Sequence, residues 1–222
     1  QGEPLLNHPF HFVIVKDNGE LIHLKPGKIS FIQRSAAVIS WNVTSTSDDC
    51  VLLCEGELQF DGFAGYHLTL TANKNLHIRD IRLELPLNKD KATYLMGLNK
   101  AGGTRPEQWA WTWDTTRNQD ALWLGAVNGG LRIKWKAENY RLPLVNIYYA
   151  FGPLNLPPSW GNGGRGGVHI NETGKDVLVN AYSGSREMKL NEKLHYDFEL
   201  LITPFKIMNK NNQFNDRYFH SG

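Results

Sequence analysis

The chain carries two cysteines in 222 residues, a net charge of only +2, and no run of apolar residues long enough to cross a membrane as a helix. Each scarcity excludes a class. The cysteines, Cys50 and Cys54 in CVLLC, are too few for a disulfide scaffold. In an extended chain their Cα atoms stand roughly 13 Å apart, beyond the ~7 Å a disulfide tolerates. They read as buried thiols on one strand face. The small charge and dispersed lysines do not fit a nucleic-acid partner. The eight histidines are scattered without HExxH or comparable spacing, so no metal and no cofactor is expected. There is no GxSxG elbow and no Cys/His arrangement for nucleophilic hydrolysis. The first residues lack the basic-then-apolar start of a signal peptide, so any such leader is expected to have been removed or to lie outside this chain.

Helical periodicity is also missing: no window longer than about two turns shows an apolar stripe. Only the tail around Asn211 to Phe219 suggests a short helix. What is present is strand after strand. HFVIV (His11 to Val15) and ELIHL (Glu20 to Leu24) flank Lys16-Asp17-Asn18-Gly19, a hairpin signal because Asn-Gly accepts positive φ at both central positions. Ala36 to Thr44 and Cys50 to Phe60 form the next pair. Tyr66, Leu68, Leu70 and Ala72 alternate with His67, Thr69 and Thr71, the period of a half-buried strand. Leu76 and Ile78 share a face, but the apolar set resumes at Ile81, Leu83 and Leu85. That slip of one residue near Arg79 and Asp80 predicts a β-bulge. Ala121 to Val127 and Leu131 to Trp135 bracket Asn128-Gly129-Gly130. Leu144 to Phe151, Asp176 to Tyr182 and the alternating Leu194 to Ile202 complete the set. Many short strands at this length predict one all-β domain over 1–222, an antiparallel two-sheet β-sandwich of supersandwich-like size with little or no helix.

Two irregular segments, Lys100 to Gln108 and Pro153 to Gly167, are long enough to suggest function. Beside the first stands Trp109-Ala110-Trp111-Thr112-Trp113-Asp114. In an extended chain the three indoles project from one face at about 6–7 Å intervals. Exposed, they would stack on consecutive sugar rings; facing a second sheet, they would be core. Asp114 and Arg117 nearby supply the acceptors and donors that hydroxyl recognition needs. In the second segment, Pro157 to Gly167, Trp160 and Arg165 are candidates for ligand contact, although a glycine-rich turn is weak evidence alone. The expected carbohydrate-binding residues are therefore Trp109, Trp111, Trp113, Asp114, Arg117, Trp160 and Arg165. Glu55 and Glu57 share a strand face at about glycosidase-like spacing, and Asp114 and Asp120 flank the tryptophan row. Alternating acids on a solvated strand face are commonplace, so no catalytic residue is assigned. The Asn-X-Thr sequons at Asn42 and Asn171 matter only in a eukaryotic secretory host.

Several stretches together resemble the N-terminal domain of glycoside hydrolase family 123-like proteins of Bacteroidetes. They are YLMGLNKAGGTRPEQWAWTWD (Tyr94 to Asp114), LWLGAVNGGL (Leu122 to Leu131), PLVNIYYAFGPLNLPPSWGNGGRGGV (Pro143 to Val168) and FELLITPFK (Phe198 to Lys206). The closing NDRYFH (Asn215 to His220) is similar to the junction before a (β/α)₈ barrel. The resemblance implies a β-sandwich followed by a barrel that holds the catalytic carboxylates. The family's founding activity is hydrolysis of β-linked N-acetylgalactosamine with help from the substrate's own acetamido group. The adjacent Asp-Glu pair of that mechanism has no counterpart here. This chain is thus expected to be a non-catalytic accessory domain of a periplasmic or cell-surface carbohydrate-active enzyme. Its expected partners are the catalytic barrel and an oligosaccharide, or the barrel alone if it is pure scaffold. A self-contained glycosidase or polysaccharide lyase is the third reading.

Overall fold

The computed structural model describes residues 4–113, 119–136 and 158–204. In chain order the strands are β1 (His11–Lys16), β2 (Ser30–Arg34), β3 (Val38–Thr46), β4 (Cys50–Gln59), β5 (Phe63–Ala72), β6 (Leu76–Asn88) and β7 (Tyr94–Gly97). There follow β8 (Gln108–Thr112), β9 (Ala121–Ala126), β10 (Gly129–Lys136), β11 (Gly167–Thr173), β12 (Asp176–Tyr182), β13 (Arg186–Met188), β14 (Lys193–His195) and β15 (Asp197–Thr203). Among the described residues they form two antiparallel sheets. The six-stranded sheet has the order β1-β6-β12-β11-β8, with β13 beside β6. The nine-stranded sheet runs β2-β3-β4-β5-β15-β10-β9-β7, with β14 beside β5. This is the expected all-β sandwich. Among the described residues the one α-helical turn is α1 (Pro158–Gly161). The strand-like run Leu144 to Phe151 and the tail Asn211 to Phe219 lie outside the described residues.

The core follows from period-two alternation. Leu68, Leu70 and Ala72 of β5 face Ile81, Leu83, Leu85 and Leu87 of β6 across the sandwich, all 5% exposed or less. Burying each large aliphatic chain contributes about 1.5–3 kcal/mol. The predicted bulge is present. Val15 pairs Asp80 while Lys16 pairs Ile78, which leaves Arg79 extra and keeps Ile78 and Ile81 both inward. A tight turn also forms at Asn18-Gly19, but only Gly19, at φ 90°, takes positive φ, and Lys16 N donates to Glu20 O at 2.8 Å. Its return arm is shorter than the sequence suggests: one bridge, Val15 to Leu21, and then Ile22 dips into the core. Cys50 is buried and Cys54 half-buried, both free thiols whose pKa burial pushes up.

Nine strands against six leave an overhang. Phe31, Ile39 and Leu58 sit on the inward face of β2, β3 and β4, joined by the pairs Phe31–Trp41 and Ile39–Leu58. They are nevertheless exposed, as are Phe60 just beyond β4 and Ile202 on β15.

Candidate functional site

The tryptophan row projects from one face as predicted, and that face looks into the sandwich. Ile170 and Val168 of β11 pair with Trp109 and Trp111, at the edge of the six-stranded sheet. The Trp109 and Trp111 rings stack at 6.5 Å, and Trp113 meets Trp135 edge-on at 5.5 Å. Trp111 is 9% and Trp113 7% exposed, and Trp109 is half-buried against the core. Their alternation is that of core side chains, because β8 closes the sandwich rather than lining a cleft. The buried indole N–H groups of Trp111 and Trp113 find no hydrogen-bond partner among the described residues.

Trp160 is likewise core. It is fully buried, stands edge-on to Tyr196 at 4.9 Å, and donates its indole N–H to Asp197 O at 3.0 Å. Its glycine-rich segment is a compact plug. Asn162 donates to Ser183 O and Ser185 O at 2.7 and 2.9 Å. A Cβ on Gly166 would fall 1.8 Å from Trp160 O, so only glycine fits there. Arg165 is exposed and donates to Asn162 Oδ1 at 3.0 Å. Asp114 and Arg117 lie outside the described residues. The loop before the row is anchored too. Arg105 is buried, donates to Ala92 O and Pro106 O at 2.7 Å each, and pairs with Glu172. Of the seven predicted sugar-contact residues, the structure thus leaves surface on Trp109 and Arg165, and buries Trp111, Trp113 and Trp160.

Polar side chains converge elsewhere, on the outward face of the nine-stranded sheet. The strand register sets them in rows. One row reads Lys134, Glu199, Gly65, Glu57 and Ser40 across β10, β15, β5, β4 and β3. The adjoining row on one side holds Lys136, Asp197, His67 and Glu55; on the other stand Trp123, Arg132, Leu201 and Phe63. A cleft of about 230 Å³ opens over Gly65, walled by Phe63, Glu57, His67, Glu199 and Lys136.

The electrostatics of this face are ordered. His67 Nδ1 lies 3.0 Å from Asp197 Oδ2, which is buried while the imidazole remains largely exposed. The hydrogen bond to Asp197 raises the His67 pKa above 6.5, against a smaller desolvation effect. Asp197 is itself held from behind by Trp160, so the buried plug orients the exposed imidazole. Lys136 pairs with Glu199, and Gln59 donates to Glu57 at 2.5 Å. Further along, Asp120 and Lys134 are buried 3.5 Å apart; burial pushes the carboxyl pKa up and the ammonium pKa down. Trp123 lies flat on this face over Gly125 and Gly130, where an added Cβ would come within 2.5 Å of the indole, and donates to Thr203 Oγ1. No group of His, Cys, Asp and Glu among the described residues is arranged to hold a metal.

From this face the sequence singles out Glu55, Glu57 and, as the partner of Asp114, Asp120. The signal for the rest was the polar half of each alternating strand, His67 with Thr69 and His195 with Asp197 and Glu199. It could not be told from an ordinary solvated face until the register aligned the strands.

The molecule is thus an antiparallel sandwich with a polar cleft on the outside of its larger sheet. The chain belongs to the family described as "Glycoside hydrolase 123, third domain", whose family model matches residues 1–204. No curated protein matches. Among solved structures, the chain is similar to Slr1438 protein from Synechocystis sp. PCC 6803, at 8% identity and a TM-score of 0.42 over 78% of this chain and 65% of that one. It is also similar to a galactose mutarotase related enzyme from Lactobacillus acidophilus, at 7% identity and a TM-score of 0.44, covering 88% and 79% of the two chains. A GalM/aldose epimerase homologue from C. elegans matches at 7% identity and a TM-score of 0.45, over 79% and 68%. Among the described residues no helix is long and apolar enough to cross a membrane.

Proposed function

We propose that this chain is the non-catalytic accessory sandwich of a carbohydrate-active enzyme, working at the periplasm or cell surface and packed against a catalytic (β/α)₈ barrel of the same polypeptide. Family membership supports the enzyme class, and the family's description as a third domain is in keeping with companion domains. The observation that carries the packing role is the apolar overhang of the larger sheet. Phe31 (45%), Ile39 (37%), Leu58 (42%), Phe60 (80%) and Ile202 (47%) expose large side chains on a face that every other strand buries. A groove lined by Leu5, Leu6, Leu58, Ala64, Leu131 and Ile202 continues it. Contiguous apolar surface of this kind marks an interaction site. Each such side chain covered by a neighbouring domain contributes about 1.5–3 kcal/mol.

The test compares the full polypeptide with this chain alone. Replacing Phe31, Ile39 and Phe60 together by serine should lower the melting temperature of the full polypeptide and leave the isolated chain within a degree or two. Equal shifts in both would sink the packing role. Turnover of any member of a panel of aryl glycosides by the isolated chain would sink the non-catalytic part.

A further inference from the structure

We infer that the cleft over Gly65, on the outward face of the nine-stranded sheet, is a binding site for one ring of a neutral saccharide. The inference rests on the carbohydrate-active reading above and adds a site and a ligand class to it.

The floor of the cleft is a missing side chain. Gly65 faces outward between Glu57 of β4 and Glu199 of β15, its register partners. In a strand, a glycine often marks close approach of a ligand or another backbone. No backbone constraint demands it here. The φ of Gly65 is ordinary, and an added Cβ would make only van der Waals contact with Phe63, at 3.5 Å. The space is therefore not forced by the fold.

The walls suit a sugar. Two residues before Gly65, Phe63 offers a ring to the C–H face of a pyranose. Two residues after it, His67 presents an imidazole whose Nδ1 is engaged by Asp197, which leaves Nε2 for a ligand hydroxyl. Glu57, Glu199 and Ser40 add acceptors and a hydroxyl. An apolar wall with a few convergent polar groups is the usual make-up of a small-molecule site. At about 230 Å³ it lies below the roughly 300–1,000 Å³ of drug-sized pockets, which fits one ring.

Charge selects the class. Glu55, Glu57 and Glu199 line the cleft and Asp197 stands behind His67, against Lys136 and His67 as cations. Lys136 is already engaged by Glu199. A uronate or sulfated sugar would meet this excess of carboxylates at close range and be repelled. A neutral sugar would not.

Titration of the ¹⁵N-labelled chain with the methyl pyranosides of glucose, galactose and N-acetylglucosamine, and with galacturonate, tests the site. At least one neutral glycoside should give saturable shifts at residues 55–57 and 63–67, with galacturonate at least tenfold weaker. Gly65→Leu fills the cleft without backbone strain and should abolish those shifts; Glu57→Ala, a surface change, should weaken them several-fold with the melting temperature unaltered. Three results would each overturn the inference: no saturable shift with any neutral glycoside, galacturonate binding as tightly, or wild-type binding by both variants. Silence of the cleft leaves the accessory packing role intact, whereas turnover by the chain removes the non-catalytic reading without touching the cleft.

Discussion

The two faces of the nine-stranded sheet are built from the same strands yet hold their aromatic and charged residues in opposite ways. On the inward face, Tyr66, Phe198 and Trp135 pack ring to ring with their neighbours, and Tyr66 and Phe198 stack at 4.8 Å. On the outward face the same strands present His67, Glu199 and Lys134, held by hydrogen bonds and ion pairs. The two are coupled through one residue. Asp197 accepts the Trp160 indole N–H with its backbone carbonyl and binds His67 with its carboxylate. Of the rings that look like a sugar platform in the sequence, Trp111 and Trp113 lie in the core, and Trp160 backs the polar face through Asp197.

The largest effect should come from the backing. Trp160→Ala removes a fully buried indole and should cost about 3–5 kcal/mol in denaturant unfolding, with the His67 environment disturbed as well. A loss under about 1 kcal/mol would show that the plug is not part of the core. Arg105→Ala comes next. It deletes a buried guanidinium that ties the loop before the tryptophan row to Ala92, Pro106 and Glu172, at a cost of about 2–4 kcal/mol.

Asp197→Asn separates the two faces more finely. In the wild type, the His67 titration followed by NMR should have its midpoint above 6.5, because protonated His67 gains the Asp197 carboxylate. The raised folded-state value makes this a stability contribution that is full below pH 6.5 and lost as pH rises through the folded midpoint. In the variant the midpoint should fall to or below 6.5 and that pH dependence should vanish. An unchanged midpoint would break the link between the plug and the cleft. The smallest effect belongs to the overhang. Phe60→Ser, at 80% exposure, should change the stability of the isolated chain by no more than about 0.5 kcal/mol.

Much of the architecture was legible beforehand. Alternation marked β5, β6 and β15, and the slip between Ile78 and Ile81 located the bulge at Arg79 because a misplaced apolar set has only one remedy. The candidate site was far less legible. An indole at every second position reads the same whether its face meets a second sheet or a ligand, and only the place of β8 at the sandwich edge, with its face turned inward, decided for the core. Gly65 carried no local mark at all. It matters because β4 and β15 flank it, and those strands come from distant parts of the chain.

By itself, then, the sequence determined that this protein is an antiparallel sandwich and, for strands such as β5 and β6, which residues face the core. Period-two alternation is a local property, and water enforces it strand by strand. The tertiary structure alone decided which outward residues meet, because lateral contact depends on strand order and register. Those are settled by packing across the whole sandwich, and they turn His67, Gly65, Glu57 and Glu199, from three separate strands, into one cleft.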